Sequence, residues 1–304
     1  MPQNQPQSPI YDFDALHDRV SRLRSLQIYF ICGVMKSGTT WVQLLLDAHP
    51  NVSCSGEGHF MDILSGHLAD AFDQYNDYID GKNAMLFGDI SPIPKVTTDH
   101  LFHILATSIC LLLDEKGRDK TLVAVGEKTP DNASGLSTLA LLFPKAKFIH
   151  VVRDGRDCAV SGWFHNLRLD HDRTIETYAS LDDYAIQFAE TWASVLQTAS
   201  EFGLTVPERT MTVRYEDISA DPAAELTRLC TFIGVDADRR HIEHCTAAAS
   251  FAALSGGRSS GEENRASFFR KGVIGDWRNH LGLRAEQAFA DKAGDWLKVF
   301  NYPV

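Results

Sequence analysis

Apolar residues follow two rhythms along this chain. Short continuous apolar runs recur at 28–32 (IYFIC), 122–125 (LVAV), 147–152 (KFIHVV) and 210–213 (TMTV). Each is short and rich in β-branched or aromatic residues, as a strand buried on both faces is. A shorter strand is predicted over 52–54. Between these runs, apolar positions repeat every three or four residues over 14–26, 39–48, 98–115, 131–143, 182–202, 221–233, 238–247 and 284–300. That spacing predicts helices with one buried face. Strands that alternate with helices predict an α/β fold, three layers thick, with a central, mainly parallel sheet flanked by helices. Residues 60–72 are predicted as a further helix. The stretch 73–95, with Tyr75, Tyr78, Phe87 and several prolines and glycines, reads as an irregular, pocket-lining segment. The Gly/Ser-rich stretch 255–266 reads as a mobile loop, and the Gln/Pro-rich residues 1–10 as disordered. With no internal repeat and no linker, residues 1–304 are expected to form one domain.

The candidate chemistry collects where the predicted strands end. After the first strand the chain reads Gly33-Val34-Met35-Lys36-Ser37-Gly38-Thr39-Thr40-Trp41 and enters a helix. A strand, a Gly-containing loop and a helix make a phosphate cradle, because loop and first-turn N–H groups converge on an anion. Gly33 and Gly38 keep the spacing of a Walker A loop. Thr39, however, stands where the Walker lysine belongs, and the lysine sits earlier, at Lys36. The plainer alternative is an ordinary βα turn with one lysine. The strand at 52–54 delivers Glu57 and His59, candidates for proton transfer, whose alternative is a solvated loop. Lys128 emerges beyond the run at 122–125. Arg153 follows the run at 147–152, and Ser161 lies about two turns into the next helix, so the two can grip one phosphate from two sides. The alternative for Arg153 is a structural pair with Asp154 or Asp157. Arg270 and Lys271 precede Gly272, a second arrangement suited to phosphate capture. His100, His103 and His150 read as structural.

Composition narrows the partners. The formal charge of −11 over 304 residues disfavours a nucleic-acid partner, while a local cluster of cations still admits an anionic ligand. Six scattered cysteines lack metal-site spacing, which suggests free thiols in a reducing compartment. The first residues lack the basic and apolar regions of a signal peptide, and no run is long enough for a membrane span. A cytoplasmic protein without a membrane partner is therefore expected.

Four stretches, in order, resemble sulfotransferases that use 3′-phosphoadenosine 5′-phosphosulfate (PAPS): KSGTTW at 36–41, VVRDGRDCAVSGW at 151–163, VRYEDI at 213–218 and RKGVIGDWRNHL at 270–281. The resemblance implies a P-loop-containing α/β fold and a metal-free donor site that releases adenosine 3′,5′-bisphosphate (PAP). It implies that Lys36, Ser37, Gly38, Thr39 and Thr40 hold the 5′-phosphosulfate. Arg153, Ser161, Arg270, Lys271 and Gly272 are implied to hold the 3′-phosphate, and Trp41, Tyr215 and Phe251 to frame the adenine. The cytosolic type carries a basic His after its K-T pair, and here Lys128-Thr129 is followed by Pro130. Asp47-Ala48-His49-Pro50 and Glu57 instead resemble the tyrosylprotein type, in which that Glu is the base and the residue at Lys128 is a catalytic Lys.

The combined reading is a sulfotransferase that moves a sulfuryl group from PAPS to an acceptor hydroxyl. Glu57 is the base, with His59 in reserve, and Lys36 and Lys128 stabilise charge. The acceptor is a small molecule or natural product, or alternatively a peptide tyrosine. Residues 60–98, 164–181 and 255–268 are expected to shape its pocket. A P-loop kinase and a non-catalytic nucleotide-binding relative are the competing classes.

Overall fold

The computed structural model describes residues 12–87, 92–116 and 121–304. The stretch expected to be disordered, 1–10, lies outside these residues, as does 88–91 within the segment read as irregular. The strands are β1 (Gln27–Gly33), β2 (Val52–Ser55), β3 (Ala124–Lys128), β4 (Lys147–Val152) and β5 (Thr210–Arg214). They pair in the order β2-β3-β1-β4-β5, and all four ladders are parallel. The helices are α1 (Phe13–Ser25), α2 (Thr39–Asp47), α3 (Ser65–Lys82), α4 (Thr98–Lys116), α5 (Asn132–Leu142), α6 (Gly155–Leu169), α7 (His171–Thr177), α8 (Leu181–Thr205), α9 (Tyr215–Ala220), α10 (Pro222–Ile233), α11 (Arg239–Ala248), α12 (Phe251–Ser255) and α13 (Leu283–Val299).

Strand periodicity builds the layers. On β1, Ile28, Phe30 and Cys32 pack with residues of α4, α5 and α8 on one face. Tyr29 and Ile31 pack with residues of α2, α10 and α11 on the other. Successive side chains of a strand point to opposite faces, so a continuous apolar run buries both. A third cluster joins α6, α8 and α13 around Trp192, Phe289 and Trp277. Among the described residues, no helix is long and apolar enough to cross a membrane.

The structure departs from the predicted elements in three places. The third strand begins at Ala124 and runs through Glu127 and Lys128, whose register partners on β1 are Phe30 and Ile31. Apolar patterning stops at Val125 because it does not register buried charged residues. The stretch 73–82, predicted as irregular, continues α3 to Lys82 after a π-helical turn at Phe60–Leu64. Ile79 is the one buried residue of α3, so an Asp-rich helix left mostly in solvent carries almost no apolar periodicity. The loop at 255–266, predicted as mobile, is stitched from within. Arg258 donates to the carbonyls of Ser255, Glu262, Phe269 and Arg270 and to Ser267 Oγ.

Trp192 is fully buried on α8, and its Nε1 donates to the Arg153 carbonyl at 3.0 Å. Trp192→Ala is expected to cost about 3–5 kcal/mol of stability, read as a lower chemical-denaturation midpoint.

Candidate active site

In a parallel sheet the carboxyl ends of the strands open onto one crevice, and here β1, β3 and β4 end beside one another. Beyond β1, Ser37 N donates to Val34 O at 3.0 Å, which tightens the loop before α2. Gly38 caps α2 with φ 102°, and a Cβ there would lie 2.6 Å from the Tyr215 ring. Only glycine meets both demands, a left-handed backbone and contact with an aromatic face. The first-turn amides of α2 and its dipole then face the crevice. The Ser37 hydroxyl is buried beneath this loop and finds no hydrogen-bond partner among the described residues.

Lys36 holds a left-handed backbone at φ 68°. Its Nζ stands 4.2 Å from the centre of the Phe268 ring. Burial, with help from the nearby Arg168 and Arg153 cations, pushes its ammonium down to about 8. Arg153 lies across the end of β4, and its guanidinium stacks 4.2 Å from the Tyr215 ring centre. It donates to Val273 O at 3.0 Å and Lys36 O at 3.4 Å, and its buried Nε has no protein partner. Asp157 lies 3.7 Å away as a loose ion pair, while Asp154 is taken by Arg156 through two bonds. Arg153 is thus placed by its surroundings with guanidinium surface left toward the crevice.

One cavity of about 710 Å³ is lined by Lys36, Gly38, Thr39, Thr40, Trp41, Glu57, Arg153, Ser161, Tyr215, Phe251, Arg270, Lys271 and Gly272. Ligand pockets are typically of this size. Of the residues predicted from sequence, Ser37, Lys128 and His59 do not line it. Ser37 lies beneath the loop. Lys128 is almost fully buried and donates to Glu57 Oε1 at 2.5 Å. His59 turns aside: its Nδ1 meets Asp62 at 2.7 Å and its Nε2 lies 3.7 Å from Glu57. The hydrogen bond with Asp62 raises its basicity.

The aromatic residues frame one end. Trp41 packs edge-on against Tyr215, with ring centres 5.3 Å apart, and donates to Ala249 O at 2.8 Å. Gly272, at φ 67°, lies against the Phe251 ring. The Arg270 guanidinium bridges Glu263 and Asp276, and Lys271 reaches Asp276 at 2.7 Å. Burial pushes the Asp276 carboxyl up, but its bonds to Lys271 and Arg270 prevail and hold it well below the usual range. Asp157 accepts from Gly275 N at 2.7 Å and Trp277 N at 3.0 Å, anchoring this segment to α6.

Several supports were missed in the sequence. Asp157 acts across more than a hundred positions, and Asp276 and Arg258 act through contacts that residue type does not mark. His165 lines the cavity, and burial lowers it to about 4, so it is neutral near pH 7. Its place four residues after Ser161, on one helical face, was a usable signal.

Fold and site together define a class. This is a parallel α/β protein whose glycine-bounded loop after β1 lacks the Walker lysine, and a carboxylate–lysine pair stands at its crevice. The chain belongs to the sulfotransferase family, whose family model matches residues 29–239. Cytosolic sulfotransferase 3 of Arabidopsis thaliana is 26% identical over 51% of this chain and 55% of its own length. Sulfotransferase 1C2 of Homo sapiens is 25% identical over 47% and 52%. The chain therefore spans about half the length of these relatives. A putative protein-tyrosine sulfotransferase of Caenorhabditis briggsae is 26% identical over 72% of this chain and 69% of its own. Among solved structures, mouse sulfotransferase SULT7A1 complexed with PAP has a TM-score of 0.55 at 16% identity, covering 97% of this chain and 94% of that one. The sulfotransferase domain from the curacin biosynthetic pathway has a TM-score of 0.52 at 16% identity, covering 92% and 99%. These likenesses confirm the expected fold.

Gly38→Ala must adopt the same φ against the Tyr215 ring. It is expected to lose about 1–3 kcal/mol of stability and to bind inorganic pyrophosphate more weakly, checked by thermal melts and calorimetry.

Proposed function

We propose that this protein is a sulfotransferase that transfers the sulfuryl group of PAPS to the hydroxyl of a small molecule. The observation that carries this reading is the Glu57–Lys128 pair at 2.5 Å, with Glu57 lining the same cavity as Lys36, Arg153 and Arg270. Family membership supports it, and so does the PAP named in the mouse structure. The residues present suit such a donor. The Lys36 loop offers amides, hydroxyls and a cation for the phosphosulfate end. Arg153, Ser161, Arg270, Lys271 and Gly272 take the 3′-phosphate, and Trp41, Tyr215 and Phe251 flank the base. The Arg153 guanidinium lines the same cavity, where ligand oxygens can accept from it.

Glu57 removes the acceptor's hydroxyl proton. The acceptor oxygen forms its bond to sulfur as the bond from sulfur to the bridging phosphate oxygen breaks, and PAP leaves. Lys36 offsets the charge growing on that phosphate. Lys128, buried and set behind the cavity wall, acts by fixing Glu57. Glu57 is preferred to His59 as the base because it lines the cavity, whereas His59 is turned to Asp62 and more readily protonated through it. No step calls for a metal. A peptide tyrosine is the second reading of the acceptor, favoured by the longer match to the Caenorhabditis briggsae protein and by the position of Glu57.

Calorimetry with PAP and with 5′-AMP tests the donor site. PAP is expected to bind at least tenfold tighter without added metal, and equal affinities would sink the assignment. Glu57→Ala is expected to lower kcat at least about a hundredfold while PAP affinity stays within about twofold. Turnover that survives in Glu57→Ala would promote His59.

PAP binding is favoured by the cationic form of Lys36. In the free protein that form is complete below its value of about 8 and lost above it. PAP affinity is therefore expected to weaken up to about tenfold per pH unit as pH rises past this value. Lys36→Arg, which stays charged, should flatten the dependence.

A further inference from the structure

We propose that Glu127 is a positioning residue: its buried carboxylate sets the loop that brings Glu57 against Lys128. This rests on Glu57 being the base. Glu127 is 0% exposed at the end of β3 and does not line the cavity. Its Oε1 accepts from Gly58 N at 2.8 Å and from the Thr129 hydroxyl. Its Oε2 accepts from Asn132 Nδ2 at 2.7 Å. Thr129 Oγ1 in turn accepts from His59 N at 3.4 Å. The two amides that follow Glu57 are thus both tied to residues 127–129, and the intervening Lys128 holds the Glu57 carboxylate itself.

Burying a carboxylate is costly, and burial does push this one up. A carboxylate is nonetheless suited to the place, because it can accept from an amide, a hydroxyl and a side-chain amide at once. The loop also needs holding. His59 is a non-glycine residue at φ 49°, a conformation that persists where the surroundings over-determine it. What Glu127 contributes is geometry, since its hydrogen bonds come from uncharged donors around the loop.

Geometry and charge make opposite predictions for two variants. Glu127→Gln keeps the length and the Oε1 acceptor. Asn132, whose Oδ1 has no partner now, can turn to receive the new amide. Glu127→Asp keeps the charge but withdraws the acceptor from Gly58. The experiment measures kcat and KM with PAPS and a hydroxyl acceptor, PAP affinity by calorimetry, and hydrogen exchange at the 58 and 59 amides. Glu127→Gln is expected to stay within about threefold of wild-type kcat. Glu127→Asp should lose at least about thirtyfold, since misplacing a reacting group by about 1 Å costs on the order of a hundredfold. PAP affinity should stay within about twofold in both, with faster exchange at the two amides only in the Asp variant.

Wild-type kcat in Glu127→Asp overturns the proposal. So does a kcat loss in Glu127→Gln as deep as in Glu127→Asp, which would mean charge matters, or a matching loss of PAP affinity, which would mean a general structural role. Should Glu127→Asp fail to fold, Thr129→Ala decides: kcat down at least about tenfold with PAP affinity kept is expected, and unchanged kcat overturns it. If Glu57→Ala retains turnover, the base assignment has failed. The exchange rates at the 58 and 59 amides then still report whether Glu127 sets the loop.

Discussion

The site depends on β1 being buried on both faces. Ile28, Phe30 and Cys32 are held by one helical layer and Tyr29 and Ile31 by the other. A strand gripped this way, and hydrogen-bonded to β3 and β4 along both edges, has almost no freedom to shift. Everything at its carboxyl end inherits that rigidity. The Lys36 loop continues from it directly, Lys128 leaves the neighbouring strand on one side, and Arg153 leaves the neighbour on the other. Parallel pairing brings all three to the same edge, which an antiparallel sheet could not do.

Carboxylates then arrange the cations. The chain is strongly acidic as a whole, yet its cavity is lined by Lys36, Arg153, Arg270 and Lys271. Asp276 gathers Arg270 and Lys271, Asp157 anchors their segment to α6, and Glu216 accepts from Asp154 N and Tyr302. Glu57 repeats the pattern on Lys128. Burial first, and then repulsion from the neighbouring Arg168 and Arg153, lowers the Lys36 ammonium in this site. Acidic partners beside Arg153, Arg270 and Lys271 offset that repulsion.

The strands, most helices and nearly every cavity-lining candidate were legible in the sequence, because strand-then-loop junctions are local. Lys36, Arg153 and Lys128 each follow an apolar run closely, and the run marks the place. The misses share a different cause. Glu127 interrupts an apolar pattern and so hid the end of β3. The helix α3 is mostly solvated, so its Asp-rich sequence shows no buried stripe. Arg258 holds its loop through five contacts to residues three to twelve positions away, and glycine and serine content carries no trace of them.

By itself, then, the sequence determined the three-layer parallel α/β architecture, the phosphate loop without a Walker lysine, and the order of the cationic motifs. Apolar periodicity and short glycine spacings encode such features within one or two turns of chain. Tertiary structure alone decided which groups meet. It placed Lys128 on Glu57 across 71 positions and turned His59 toward Asp62. It also joined Asp157 to the amides of Gly275 and Trp277 and put a buried carboxylate behind the proposed base. Those outcomes depend on where distant segments cross, and that follows from packing the whole core rather than from any stretch of it.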